Sequence, residues 1–373
     1  MVPSRSTPEP APPAGDDWRG ARLVVQVWLG TRLVLALVAG WVMLGHGRTL
    51  TDVLGNWDVQ HFLAIASDGY ANPQDIAFFP GWPLLLRGLA ALGLPPLLGG
   101  TALALAGSAL AAAALYRLAG PAAAIAWLLA PTAVFTTVPY TEGLFCAAAF
   151  WAWERARSRH WAAAAALAAV AAGLRVSGVF LVAALAVLAL SQGGPWTARL
   201  RRLGWLVLPA LVVAGYLAWL KVGFGSWTAW FDVQADNWAR GFTWPWESLR
   251  HTLDAGAPGA SPEFPEWAWL FRAEVVSMAV GAVVTVVSLA RRRWGEAGWV
   301  GLQVLAFSTS WWFMSVNRAV LLWFPLWVLL GRVAEGRGRA GPARPVLVGF
   351  VVVAAVAVQA LWGWLFFTGR WAS

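Results

Sequence analysis

The sequence has few charged residues, and this shortage excludes most water-soluble folds. Only 12% of its 373 residues are charged, whereas 59% are hydrophobic, and the mean hydropathy is +0.62. A soluble domain carries about 25% charged residues, with which it covers its surface. Apolar runs close to the length that crosses a bilayer, about 20 residues, recur along the chain. We therefore expect a polytopic helical membrane protein embedded in the lipid bilayer.

Cysteine, histidine and the common catalytic motifs are equally scarce. The one cysteine, Cys146, lies inside an apolar segment, so an intrachain disulfide is impossible. Four scattered histidines argue against a metal site. The nucleotide-binding, zinc-protease and serine-hydrolase motifs are missing. A net charge of +9 would suit nucleic acid. Because the arginines cluster in short loops between apolar segments, the positive-inside pattern, we expect no nucleic-acid partner.

The arginine clusters predict how the chain is oriented in the membrane. Arg19 and Arg22 precede the first apolar run, 23–44, and this basic flank places the N-terminus in the cytoplasm. Residues 1–20 are rich in proline, serine and charge, so we expect a disordered cytoplasmic N-terminus. Residues 21–373 are then expected to form a single transmembrane domain.

The same rule predicts two outer segments and a number of membrane crossings. Residues 45–77 form the first outer loop, and 223–270 form a second, longer one. The run 79–94 contains prolines and Arg87, so we expect an interfacial or re-entrant helix, although the sequence leaves open whether it spans. The prediction is an all-α bundle with about eleven transmembrane helices.

The first outer loop concentrates polar side chains, and Asp58 is the candidate catalytic residue. Asp58 and His61 lie three residues apart, so they share a face of a helix. We expect a short helix at the membrane surface that holds the Asp58 carboxylate over a cavity. Ionisable residues at the ends of membrane segments are costly and usually functional. A carboxylate can activate a hydroxyl, and arginines can hold a phosphate.

Each of these residues has a structural alternative that the sequence leaves open. Asp58 and Glu142 could cap the helices that they begin. His61 could be a hydrogen-bonded histidine at the interface with no catalytic part. Arg175 could bond the carbonyls freed at the break between two short helices, and Arg318 could anchor the chain at the membrane interface.

Four motifs, in chain order, resemble the GPI mannosyltransferase II family and its bacterial relatives. They are Trp57-Asp58-x-x-His61-Phe62 with Gly69-Tyr70; Pro139-Tyr140-Thr141-Glu142; the Arg175-containing break Gly173–Gly178; and Ser315-x-x-Arg318 before Phe324-Pro325. The first of these is the specific one. The chain resembles a bacterial member of that family.

The resemblance implies a class-C glycosyltransferase (GT-C), a multi-pass enzyme of the bacterial plasma membrane with its site on the extracytoplasmic face. Such an enzyme transfers a hexose, here mannose, from a polyprenyl phosphate with inversion, and Asp58 is the implied base. The donor is polyprenyl-phosphate-mannose or a similar lipid, and the acceptor is an unknown glycolipid, glycan or protein. The residues implied to contact the substrates are Trp57, His61, Tyr70, Tyr140, Glu142, Arg175 and Arg318.

No metal or other cofactor is expected beside the lipid-linked donor, because a phosphate leaving group departs with its charge paired. The alternative function is a lipid or solute transporter that uses the same charged cavity for binding without chemistry.

Overall fold

The computed structural model describes residues 14–335 and 343–372, and within these ranges every regular element is a helix. The only β-type pairing there is an isolated bridge between Phe242 and Ser310. The all-α, polytopic fold expected from the composition is confirmed.

The described helices alternate between long apolar rods and short surface pieces. The first nine are α1 (Ala14–His46), α2 (Leu50–Leu54), α3 (Asp58–Asp68), α4 (Gly81–Ala91), α5 (Pro96–Leu128), α6 (Glu142–Arg157), α7 (Trp161–Leu174), α8 (Ser177–Ser191) and α9 (Trp196–Trp205). The others are α10 (Val207–Phe224), α11 (Ala229–Trp238), α12 (Pro245–Ala255), α13 (Glu266–Ala290), α14 (Trp294–Ser308), α15 (Val316–Ala319), α16 (Phe324–Glu335) and α17 (Ala343–Phe367). Short 3₁₀ turns lie at Pro73–Ala77, Ala133–Thr136 and Val320–Leu322.

Five helical segments in the described ranges are long and apolar enough to cross a membrane, so the count of about eleven is not confirmed. They are Trp18–His46, Pro96–Leu128, Trp196–Phe224, Glu266–Ala290 and Val346–Phe367. A sixth span results if Val316–Leu322 and Phe324–Glu335, which meet at 70°, are taken together. Helices α7 and α8 are apolar but shorter, and the predicted break between them is present.

Helix α6 lies at the centre of the bundle. Twelve of its 16 residues are buried, and it packs on α5, α7 and α8. Its second residue, Gly143, touches the backbone of α5 so closely that a Cβ there would lie 2.3 Å from the Ala104 carbonyl oxygen. Small residues permit such a backbone approach between membrane helices. The close contact fixes the first turn of α6, where Glu142 lies.

One group of arginines lies at the end of α6 that is away from its first residue. Helix α6 runs from Glu142 to Arg157, a rise of about 24 Å. At its far end Glu154 pairs with Arg117 of α5 and with Arg155. The arginine cluster 291–293 likewise follows the last residue of α13.

Three predicted segments can be compared with the structure. Helix α1 begins at Ala14, within the predicted N-terminal segment 1–20, while 1–13 lie outside the described residues. The predicted outer loop 223–270 contains two helices, α11 and α12. Within 79–94, α4 has 11 residues, about 16 Å of rise, which is too short to cross a bilayer core of about 30 Å.

Candidate functional site

A cavity of about 320 Å³ opens at the end of the bundle where α6 begins. We name the lining residues Asp58, Tyr140, Arg175 and Arg318 the motif wall. A second group of lining residues, which we name the aromatic wall, comes from α11 and the residues after it. The members of the aromatic wall that matter below are Trp230, Gln234, Trp238 and Arg240. The floor and rim are largely aromatic, so the cavity combines a few charges with much apolar surface.

The Asp58 carboxylate reaches the cavity from the first residue of α3. Arg318 Nη1 donates a hydrogen bond of 2.8 Å to Asp58 Oδ2, and the Asp58 N–H donates to the Tyr140 hydroxyl at 3.1 Å. No side chain caps α3, so the capping alternative for Asp58 is absent. The residue before it, Trp57, has φ of 57°, a left-handed conformation that costs free energy in residues other than glycine. Backbone strain therefore lies next to the candidate carboxylate.

Glu142 is fully buried beneath the motif wall, where it joins two arginines. Its Oε1 lies 3.1 Å from Arg318 Nε, and it also accepts a hydrogen bond from Arg175. Arg175 donates a second bond, of 2.7 Å, to the Thr141 hydroxyl. The chain of contacts runs from Asp58 through Arg318 and Glu142 to Arg175, so it unites all four motifs, which are far apart in the sequence.

Burial sets the protonation of the phenol in this network. Tyr140 is 1% exposed. Its burial, together with the negative Asp58 carboxylate, raises the pKa of Tyr140 well above its usual value. The phenol therefore stays neutral over the physiological range and bonds the first N–H of α3 without adding charge.

A second buried carboxylate, which the sequence analysis missed, holds the turn that carries Arg318. Glu274 of α13 is fully buried and accepts the backbone N–H groups of Ser315, at 3.0 Å, and of Asn317, at 2.9 Å. Ser315 itself has φ of 65°. A carboxylate in the middle of an apolar span is costly, and that cost is the signal that could have identified Glu274.

His61 and Tyr70 do not line the cavity and instead support a residue that does. His61 Nδ1 lies 2.8 Å from Oδ1 of the buried Asp75, and its ring stacks on Phe78 with centroids 4.9 Å apart. The Tyr70 hydroxyl donates to the Phe78 carbonyl at 2.8 Å. Phe78 faces the cavity. Of the seven predicted substrate contacts, Trp57, Tyr140, Arg175 and Arg318 reach the cavity directly.

The aromatic wall was not predicted from the sequence. Its segment, α11, was interpreted as part of a solvated loop with surface charges, and Asp232 and Asp236 are indeed exposed. The opposite face of α11 turns Trp230 and Trp238 to the cavity, and the Trp230 indole N–H donates to the Ala77 carbonyl at 3.1 Å. Arg240 follows directly. An arginine inside a predicted outer loop with little basic charge was the available signal.

In the part of the chain that the structure describes, no group of three or more histidine, cysteine, aspartate or glutamate side chains could hold a metal ion. The functional groups at the cavity are carboxylates, guanidinium groups, a phenol and indoles. This set can bind an anionic, partly apolar ligand and can take a proton from a hydroxyl.

Fold and site together define a polytopic membrane protein with a cavity at one end of the bundle that is lined by a carboxylate, several arginines and aromatic rings. The chain is 33% identical over 193 residues to GPI alpha-1,6-mannosyltransferase 2 of Mus musculus, over 43% of this chain and 38% of that protein. The protein of the same name from Rattus norvegicus is 38% identical over 155 residues, covering 36% and 31%. The human protein is 35% identical over 149 residues, covering 35% and 30%.

These matches confirm the resemblance to the GPI mannosyltransferase II family that the motifs indicated. The chain spans less than two fifths of the length of the relatives that it matches. No family model and no solved structure matches it.

Proposed function

We propose that the protein is a membrane mannosyltransferase of the GT-C class that uses a polyprenyl-phosphate-linked mannose donor. The acceptor is a hydroxyl of a glycolipid, glycan or protein. The observation that carries the proposal is the Asp58 carboxylate, held at the wall of the cavity by Arg318 at 2.8 Å. Its side chain is 19% exposed, so a bound hydroxyl can reach it. The similarity to GPI alpha-1,6-mannosyltransferase 2 supports the sugar and the reaction type.

In the proposed reaction the acceptor hydroxyl attacks the anomeric carbon from the face opposite the phosphate, which inverts the configuration there. The new carbon–oxygen bond forms as the bond from the anomeric carbon to the phosphate oxygen breaks, and polyprenyl phosphate leaves. Asp58 orients the hydroxyl and takes its proton. The three arginines that line the cavity, Arg175, Arg240 and Arg318, favour the negative charge that develops on the leaving group.

We place the reaction on the extracytoplasmic face of the bacterial plasma membrane. The support for this orientation is that the cavity lies at the end of α6 opposite Arg155 and Arg157. A transporter would need charged groups along both halves of a passage, whereas the charged lining residues of the cavity gather at one end of the bundle. The enzyme is therefore the better supported function.

The proposal is tested by sugar transfer in membranes that express the wild type, Asp58→Asn or the matched control Asp68→Asn. Asp68 is an exposed carboxylate at the other end of the same helix. With radiolabelled polyprenyl-phosphate-mannose and native acceptors, we expect Asp58→Asn to lose transfer by about 10²-fold or more, and Asp68→Asn to keep it. Equal transfer by the wild type and Asp58→Asn would remove Asp58 from catalysis, and no transfer by any of them would exclude the donor.

A further inference from the structure

The arginines around the cavity differ in what neutralises them. Arg318 pairs with Asp58 and Glu142, and Arg175 pairs with Glu142. Arg240 makes no ion pair with any carboxylate in the described ranges. Around one cavity the structure thus places two arginines that form ion pairs with carboxylates and one that forms none in the described ranges.

The environment of Arg240 suits an anion better than it suits a free cation. The side chain is partly buried, and this burial lowers the pKa of its guanidinium to about 10, with the positive Arg318 acting in the same direction. Its described hydrogen bonds, of 3.4 Å to the Met314 carbonyl and 3.2 Å to the Ser315 hydroxyl, use only Nη2. The remaining N–H groups are free to bind a ligand, because they make no hydrogen bond to the described residues.

The negative charges of Asp58 and Glu274 act on Arg240 and raise its pKa, against the effect of burial, but neither carboxylate forms an ion pair with it in the described ranges. Glu274 accepts the backbone N–H groups of Ser315 and Asn317. Asp58 is engaged by Arg318. A ligand phosphate at Arg240 would therefore displace no existing ion pair, whereas binding at Arg175 or Arg318 would compete with Glu142 or Asp58.

The walls around Arg240 also fit a phosphate that is attached to an apolar chain. Trp238 lies two residues before it, and Trp230 lies two turns further along α11 on the same cavity. A free inorganic phosphate would gain little from such aromatic surface, while the isoprenoid next to a lipid phosphate would be shielded from water by it.

We propose that Arg240, rather than Arg175 or Arg318, binds the phosphate group of the lipid-linked substrate. This inference rests on the proposed function, since it assigns the phosphate of that donor. In this inference the two walls have different roles. The aromatic wall binds the phosphate end of the donor, and the motif wall presents Asp58 to the acceptor hydroxyl.

Binding without turnover is the first test. The thermal midpoint of the detergent-purified protein is measured with undecaprenyl phosphate, with undecaprenol and with inorganic phosphate, for the wild type, Arg240→Gln, Arg240→Lys and Arg250→Gln. Arg250 is the control, an exposed arginine of α12 outside the cavity. Undecaprenyl phosphate should stabilise the wild type and Arg250→Gln. Its apparent affinity should fall about 10- to 100-fold in Arg240→Gln and less in Arg240→Lys, which keeps the charge.

Three outcomes would overturn the assignment. Undecaprenol could stabilise the wild type as much as undecaprenyl phosphate does, which would show that the protein does not bind the phosphate group. Arg240→Gln could bind undecaprenyl phosphate like the wild type. Inorganic phosphate could replace the lipid in an Arg240-dependent way, which would make the site one for free phosphate. Arg240→Lys keeps the test valid if Arg240→Gln does not fold. Partial affinity for undecaprenyl phosphate in a folded Lys variant still measures the contribution of the positive charge.

Turnover separates this inference from the proposed function. In the transfer assay Arg240→Gln should raise the donor KM about 10- to 100-fold while kcat changes less, because Arg240 binds the donor and Asp58 takes the proton. Normal donor KM in Arg240→Gln overturns the inference and leaves the enzyme standing. Conversely, no transfer in any variant, together with Arg240-dependent binding of undecaprenyl phosphate, overturns the enzyme and leaves the phosphate site standing.

Discussion

The two walls of the cavity are built on different physical principles. In the motif wall, charges are fixed by other charges: Asp58, Arg318, Glu142 and Arg175 form a continuous network with a fully buried member. In the aromatic wall, large rings are packed around Arg240, a cation without a carboxylate partner in the described ranges. The difference teaches that one wall is organised before any ligand binds, while the other offers a ligand a cation that forms no ion pair in the described ranges.

The largest expected effect is a loss of stability when the buried carboxylate of the motif wall, Glu142, is removed. Glu142→Ala leaves Arg175 and Arg318 without their shared buried carboxylate, so we expect a loss of stability of about 3–5 kcal/mol and a strongly lowered thermal midpoint in detergent. The matched control is Glu154→Ala at the other end of α6, where the partner Arg117 is 56% exposed. There the expected loss is about 1 kcal/mol or less. Similar losses in both variants would mean that the network does not stabilise the wall.

An intermediate effect concerns the strain beside Asp58. Trp57→Gly and Trp57→Ala both remove the indole that donates to the Arg370 carbonyl at 3.0 Å, and only Gly also relieves the left-handed φ of 57°. We expect the Gly variant to be more stable than the Ala variant by about 1 kcal/mol, after the higher entropy of the unfolded glycine chain is subtracted. Comparison of their thermal midpoints measures this difference. An Ala variant as stable as the Gly variant would show that the backbone there is not strained.

The smallest expected effect lies in the aromatic wall. Trp230→Phe keeps an aromatic ring and loses one hydrogen bond to the Ala77 carbonyl, which Gln234 Nε2 also approaches at 3.4 Å. Because that carbonyl keeps a partner, we expect a loss of only about 0.5 kcal/mol and little change in kcat. Thermal midpoints and transfer rates check this. A loss as large as that of Glu142→Ala would show that the two walls are equally dependent on polar contacts.

The sequence analysis selected the residues of the motif wall as candidates because charged side chains stand out in an apolar chain. Asp58 and Arg318 are charges at the ends of apolar segments, where charge is expensive, and no packing argument explains them. Their mutual contact could not be read from the chain, since 260 positions separate the two residues. The aromatic wall was missed for the opposite reason. Tryptophan is so abundant, at 28 residues, that Trp230 and Trp238 looked like the interfacial tryptophans found elsewhere.

Secondary structure shows the same division. The break at Arg175 and the short helix at Asp58 follow from local signals, and both are present. The extent of α1, which begins at Ala14, and the helices inside 223–270 were not predicted, because polar helices at a membrane surface resemble loops in composition.

By itself the sequence determined that this is an all-helical membrane protein, which end of the bundle carries the arginine clusters, and that Asp58 is the carboxylate to test. The reason is that each residue contributes its own free energy of transfer into the bilayer, and this contribution can be added up along the chain without knowledge of the fold. Only the tertiary structure decided that Glu142 is shared by two arginines, that Glu274 holds the turn before Arg318, and that Arg240 lacks a carboxylate partner. Pairing of charges depends on distances of a few ångströms between remote segments, and packing alone sets those distances.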